Sequence, residues 1–331
     1  MAHHVESMFS VLETPWHKLG RILDKPPTTA EAIVCAGLDW KVAKRPLFLG
    51  DGRAVEAYAT VRDSDGSILG SHVGPGYTVL QNAEAFAWLD PFIASGQATI
   101  ETAGSLRCGS VVWALAKLAG EPTVIVSRAD DRIEKYLLLS NSHDGTQAVR
   151  VGFSPIRVVC ANTLAMAHEG GASSLLRVKH TSSMVATLDA VRDCMNVANA
   201  SFEATAKQYR ALAVRDVSVS DLAKYVAIVF DAPEPKVTDL VAFARGAAKA
   251  SRGENYARVR QETVERLFSY GKGNNLPGVR GTWWAAYNAV TEYLQYERPR
   301  STPESRIDSL AFGSAATTSR KALATALRMA A

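Results

Sequence analysis

The chain has 331 residues, 47% of them hydrophobic and 21% charged, with 23 Gly and 13 Pro. These proportions exclude a largely disordered, collagen-like or coiled-coil protein, and no apolar run reaches the roughly 18 residues that a membrane span requires. The formal net charge of +4 is too small to name a partner, and Met1–Ser10 lack the charged-then-apolar order of a secretory signal, so a soluble cytoplasmic protein is expected.

Taken in chain order, the first half reads as strands and turns. Val42–Leu49, Ala54–Arg62 and Ile68–Val73 are short apolar-rich runs, separated by Gly50-Asp51-Gly52 and Asp63-Ser64-Asp65-Gly66. Gly and Asp in those separators tolerate the positive φ of tight hairpin turns. The second separator also resembles the start of a calcium loop, but the later bidentate Glu is missing. Val79–Ser95 predicts a helix with Phe86, Leu89 and Ile93 on one stripe. Strands are then expected at Thr99–Thr102, Ser110–Leu118, Thr123–Arg128, Tyr136–Ser142 and Gln147–Phe153, with Leu164–His168 helix-like and capped by Asn162-Thr163. Beyond residue 180 the periodicity becomes helical. Ser182–Val214 reads as one long helix, followed by Val219–Phe230 with Ser220 or Asp221 as N-cap, Tyr256–Phe268, Thr282–Tyr296 and Ser319–Met329. Strands followed by helices predict an α+β fold. The expected organisation is a mainly antiparallel sheet domain over residues 1–180 with a helical region over 181–331 packed on it, or the two as one continuous unit.

Charge divides along the same boundary. Residues 1–180 hold 17 Lys+Arg against 18 Asp+Glu, whereas residues 181–331 hold 20 against 15. Most of the excess lies in 245–280, where eight bases face three acids. Such a segment offers a phosphate-binding surface, or simply a solvated helical face. The cysteines, Cys35, Cys108, Cys160 and Cys194, show neither CxxC spacing nor a paired His, so buried free thiols are expected rather than a zinc site or disulfides.

Four stretches have the residue types that carry chemistry. In Asn141-Ser142-His143-Asp144-Gly145 the His and Asp are candidates for an acid/base pair, against the ordinary reading of a turn. Phe153–Leu164 contains Arg157 and Cys160; with Arg150, Arg157 is expected at one sheet end, where guanidinium groups bind phosphate or pair with a carboxylate. Cys160 is a candidate nucleophile with His143 or His168, although its Val-Val-Cys setting reads as buried and inert. Arg177-Val178-Lys179-His180 alternates like a strand edge that runs along a phosphodiester backbone. Lys272-Gly273-Asn274-Asn275-Leu276-Pro277-Gly278-Val279-Arg280 is a Gly-rich basic loop leading into Thr282-Trp283-Trp284, without the spacing of a nucleotide P-loop. Lys272 and Arg280 there are phosphate candidates, and Trp284 and Tyr287 are base-stacking candidates. Helical spacing also fits Trp283, Tyr287 and Val290 as core anchors, with Thr282 as N-cap.

Tyr77–Asn82 with Phe86, Asn141–Gly145, Arg157–Leu164, and Gly271–Gly273 followed by Gly278–Glu292 together resemble the phage/plasmid-like proteins grouped as domain of unknown function 932. The similarity spans about residues 10–330; it departs after Tyr293, where Gln295-Tyr296 replaces an acidic-His pair. The resemblance implies a mobile-element setting, in which replication and recombination proteins are common, and it carries no activity to transfer residue by residue. By analogy of layout, the expected function is binding of single-stranded DNA, or RNA, by a homo-oligomer that anneals strands without ATP or any cofactor. Arg150, Arg157, Lys179, Lys272, Arg280, Trp284 and Tyr287 form the expected nucleic-acid contacts. The alternatives are a hydrolase or nuclease using His143 and Asp144, and a host-interaction protein with no nucleic-acid role.

Overall fold

The computed structural model describes residues 5–11, 20–159, 162–163, 176–181, 202–231, 252–299 and 303–331. Twelve strands fall in this set: β1 Val5–Val11, β2 Arg21–Leu23, β3 Val42–Phe48, β4 Ala54–Arg62, β5 Ile68–Val73, β6 Ala98–Leu106, β7 Val111–Leu118, β8 Thr123–Val126, β9 Asp131–Ser142, β10 Val149–Arg157, β11 Asn162–Thr163 and β12 Leu176–Val178. Nine of them make one sheet, whose main path runs β11-β10-β9-β7-β6-β1-β2, with β12 on β10 and β8 on β9. All its pairs are antiparallel except β1 with β2. Strands β3, β4 and β5 make a separate antiparallel sheet joined by the two turns expected from sequence. With the longer helices in the C-terminal part, the fold is α+β.

Alternation along β7 explains how the large sheet is covered on both faces. Val112, Ala114 and Ala116 join a core with Phe9, Ile100, Ala103, Leu137 and Val151, packed with Ala32 of α1 (Thr29–Cys35), Ala85 and Phe86 of α2 (Asn82–Phe86) and Phe92 of α3 (Asp90–Ala94). Val111 and Trp113 enter a smaller cluster with Met8, Leu106, Ile307 and Phe312. The single helix expected over Val79–Ser95 is thus shorter and segmented: it starts at Asn82, tightens to a 3₁₀ turn at Ala87–Leu89 and resumes at Asp90, with Pro91 in its first turn. Arg107, Cys108 and Gly109 all take positive φ in the β6–β7 turn. That turn places Cys108 at the surface and Cys35 is half-buried, so neither is the fully buried thiol expected.

The C-terminal helices are α4 over 202–213, α5 Val219–Val229, α6 Arg252–Tyr270, α7 Trp283–Glu292, α8 Pro303–Ala311 and α9 Ser314–Ala330. A π turn at Tyr293–Glu297 extends α7. Ser218, rather than Ser220 or Asp221, caps α5 by accepting from Asp221 N, while Thr282 caps α7 as its sequence suggests. Residues 182–201 of the expected long helix, the Leu164–His168 helix, Cys160 and Cys194 lie outside the described residues. Asn162 and Thr163 pair with Arg157 and Ile156 as a short strand, and the helix they are expected to cap lies outside the described residues. The largest core joins Tyr209, Tyr225, Trp283, Trp284, Tyr287 and Leu323 with Ile125 and Ile133 from the sheet, so the strand and helix regions share an interior.

The close seating of β1 on β6 depends on Gly104. A Cβ there would meet Met8 Cβ at 2.6 Å and overlap the Ser7 carbonyl oxygen. Gly104→Ala is expected to cost about 1–3 kcal/mol, as overpacking does, measured by urea unfolding, with faster amide exchange in β1.

Candidate functional site

The four stretches noted in the sequence assemble into two constellations, each made from two of them. The first surrounds an ion pair with no exposure on either side chain. Arg157 ends β10 and Asp131 begins β9, just after Asp130, whose left-handed φ of 51° closes the preceding turn. Arg157 Nε donates to Asp131 Oδ1 at 2.8 Å and its Nη2 to Oδ2 at 2.6 Å. The remaining donors reach the helical region: Nη1 to Asn274 Oδ1 at 3.1 Å and Nη2 to the Gly273 carbonyl at 3.0 Å. Trp284 Nε1 donates to Asp131 Oδ2 at 2.8 Å. Asn274 is oriented for its role because its Nδ2 donates to the Leu267 and Ala285 carbonyls. Gly273 has φ +80°, and a Cβ there would stand 2.5 Å from Val159 Cγ1 and 3.1 Å from Arg157 Nη2. Beneath the same loop, Glu292 accepts from Lys272 N, and burial raises its carboxyl above the usual range.

This first constellation is closed. Its charges and donors are directed at one another, and it is sealed by Trp284 and by Tyr287, which packs near Tyr209. Arg157, Trp284 and Tyr287, expected to contact nucleic acid, are fully buried, and that expectation is corrected for all three. Arg157 serves the other role considered for it, pairing with an internal carboxylate. Arg150 and Arg157 are also not neighbours. They stand seven residues apart on β10, about 23 Å at strand spacing, with Arg150 opposite Ser140 and Arg157 opposite Ile133. Lys179 is exposed next to β12, near the Arg150 end, while exposed Lys272 and Arg280 lie on the loop at the Arg157 end. The expected nucleic-acid set is therefore divided between the two ends of the sheet.

The second constellation joins His180, from the Arg177–His180 stretch, and Tyr77–Asn82 to Asn141–Gly145. Asn141 Nδ2 donates to the Leu80 carbonyl at 2.9 Å and the Tyr77 hydroxyl to the Ser142 carbonyl at 2.8 Å. His143 is fully buried, with Trp40 edge-on at 5.6 Å and Asn82 Oδ1 2.9 Å from its Nε2. His180 stacks on Tyr77 at 4.7 Å and places Nδ1 3.0 Å from the Thr78 carbonyl. Asp144 instead serves its own turn, accepting from Thr146 N at 2.9 Å and from the Ser142 and Thr146 hydroxyls. Burial, helped by the nearby His180 charge, holds His143 down to about 3, and burial also lowers His180. His143 is thus neutral and enclosed, which leaves it no access to a substrate. Among the described residues no three His, Cys, Asp or Glu side chains converge as a metal set, and no helix is long and apolar enough to cross a membrane.

A third feature was signalled in the sequence only at Arg280. The Arg210 guanidinium Nε donates to the Val124 carbonyl at 3.0 Å. A Cβ on Gly278 would touch Val126 Cγ1 at 3.1 Å. Trp283 N donates to the Arg215 carbonyl, Val217 N to the Gly281 carbonyl, and Asp216 bridges to Thr282. The backbones at 124–128, 210–217 and 278–282 therefore run side by side and carry exposed Arg128, Arg210, Arg215 and Arg280. Among the described residues none of these four forms an ion pair, whereas α6 neutralises Arg258 with Glu262, and Arg266 with Glu297. The arginines come from segments about 80 and 70 residues apart, so no sequence window could contain them together.

The model of one family, the domain of unknown function DUF932, matches residues 70–322. The chain belongs to the DUF932 family. The match spans about three quarters of the chain and includes both constellations, leaving β1 to β4 outside. No curated protein and no solved structure matches the chain.

Two outcomes follow from these interiors. Asp131→Asn, which strands the Arg157 charge, is expected to cost about 3–5 kcal/mol. The apolar pair Asp131→Leu with Arg157→Met should recover part of that loss in urea unfolding. Because the folded pKa of His143 is depressed from 6.5 to about 3, the unfolded chain binds more protons between those values. The stabilisation from keeping His143 neutral is complete above about pH 6.5 and falls by about 1.4 kcal/mol per unit as pH drops toward 3. Its ring resonances should show no titration from pH 8 to pH 4.5; a midpoint near 6.5 would contradict the burial.

Proposed function

We propose that this DUF932 protein binds single-stranded nucleic acid through the Arg128–Arg210–Arg215–Arg280 face and acts as a homo-oligomer in strand annealing. The observation that carries the reading is this patch: four exposed guanidiniums on adjoining segments, with Asp216 an exposed acid among them. Arginine is suited to phosphate because its planar fork donates two bonds at once. Lys272 lies on the same loop as Arg280 and extends the positive field. The large core aromatics are committed to packing, so affinity rests on phosphate contacts and little on base stacking. The annealing role adds the phage or plasmid setting implied by the family resemblance and the analogy of a sheet backed by helices.

Fluorescence anisotropy with a labelled single-stranded oligonucleotide at about 50 mM salt tests the reading. Binding should weaken steeply as salt rises. Arg128→Gln, Arg215→Gln and Arg280→Gln combined should lower affinity at least about tenfold and flatten the salt slope by about two units, near 0.7 per lost single-strand contact. A folded parent chain that does not bind at low salt refutes the proposal, and an unchanged triple variant removes this face from it.

A further inference from the structure

Trp284 and Tyr287 are buried, but the loop that carries Lys272 and Arg280 begins at another aromatic side chain. Tyr270 is the last residue of α6 and is 79% exposed. Helical spacing explains its direction: Val264 and Leu267 turn to the interior, and Tyr270 falls on the outer side. Among the described residues the only other exposed large aromatic is Phe48, at the end of β3 in the separate sheet.

The ring of Tyr270 is open to solvent while the backbone that carries it is fixed. Gly271 N donates to the Leu267 carbonyl at 2.7 Å, and Lys272 N reaches both Glu292 carboxylate oxygens at 3.1 Å. A Cβ on Gly271 would overlap that carbonyl oxygen and stand 2.5 Å from Glu292 Oε2, so this close approach requires glycine. Asn274 Nδ2 donates to the Leu267 carbonyl at 3.0 Å and to the Ala285 carbonyl at 3.1 Å, which brings the last turn of α6 against the first turn of α7. The loop therefore leaves at Tyr270 and returns beside it, with Lys272 exposed near its start and Arg280 exposed near its end.

Exposed apolar residues that occur singly need no ligand. Tyr270 differs in having a rigid seat at the mouth of a cationic loop. Its side chain has few torsions, so holding it against a flat partner costs little entropy. A cationic partner for the ring face is opposed by Lys272 and Arg280 nearby. A nucleobase instead brings a flat face tethered to a phosphate that those cations attract, and every base has such a face whatever the sequence.

We propose that Tyr270 stacks on one base of the nucleic-acid strand whose phosphates lie on the arginine face, with Lys272 holding the phosphate next to that base. This rests on the nucleic-acid reading above and adds one sequence-tolerant base contact to it.

The full-length chain and its Tyr270→Ala and Tyr270→Phe variants are compared by anisotropy with a labelled oligothymidylate over a salt series. In parallel, 5-iodouracil replaces each thymine in turn for photocrosslinking, with the joined residue mapped by mass spectrometry. Tyr270→Ala should weaken binding at least about fivefold with the salt slope unchanged, because it removes a ring and no charge. Tyr270→Phe should bind like the parent, and a crosslink should form at Tyr270. A parent chain that does not bind overturns the nucleic-acid reading and this inference with it. A parent that binds, with unchanged affinity in Tyr270→Ala, overturns this inference alone. So does an equal loss in Tyr270→Phe, or the absence of a crosslink at Tyr270.

Discussion

The Asp131–Arg157 ion pair is the interaction on which the rest of the structure depends. Two opposite charges with no solvent exposure are stable only if every remaining donor and acceptor finds a partner. Arg157 lies in the sheet, but two of its hydrogen bonds end on Gly273 and Asn274, and Asp131 needs the Trp284 indole. The helical region is therefore the other half of a polar centre that the sheet cannot close alone. Several local features follow from that need: the glycine at 273, the anchoring of Asn274 on two carbonyls, and the start of α7 immediately after the loop. An aromatic wall of Tyr209, Trp284 and Tyr287 then keeps water away, which strengthens the hydrogen bonds inside.

Much of this architecture was legible in the residues, because it is encoded locally. The β3, β4 and β5 runs with their Gly/Asp turns and the Thr282 cap are short-range signals, and they appear where sequence places them. The α+β division follows from the change in periodicity near residue 180. Solvent access was not legible. Arg157, Trp284 and Tyr287 have the residue types that bind nucleic acid; helical spacing already offered Tyr287 as a core anchor and Arg157 had a carboxylate as its other partner, but tertiary closure is what decides that all three turn inward. Equally, the face formed by Arg128, Arg210, Arg215 and Arg280 depends on three distant segments lying side by side, which no periodicity records.

The charge distribution changes meaning in three dimensions. The basic run of 245–280 looked like one surface, yet α6 pairs Arg258 and Arg266 with acids on its own face or nearby, and Arg260 lies over the Phe230 ring. Among the described residues, what remains positive is the rim where the loop after α6 meets the end of β8 and the end of α4. The buried ion pair and this exposed rim share that loop: Gly273 and Asn274 turn inward while Lys272 and Arg280 face solvent. One segment thus sets both the stability of the interior and the charge of the surface. Its glycines at 273, 278 and 281, all with φ near +80°, provide the tight reversals that allow this.

The long sequence separation between Arg157 and Trp284 has a consequence for biosynthesis. During translation the β9–β10 hairpin emerges with Asp131 and Arg157 already placed to meet. The residues that finish enclosing them follow roughly 130 positions later, a delay on the order of 10 s at ordinary elongation rates. For that interval the pair must stay hydrated, and the end of the sheet near it cannot become dry. The nascent chain is therefore held short of its final compaction until the Gly-rich loop and α7 leave the ribosome. Cooperative closure is consequently a late event, governed by the last third of the chain.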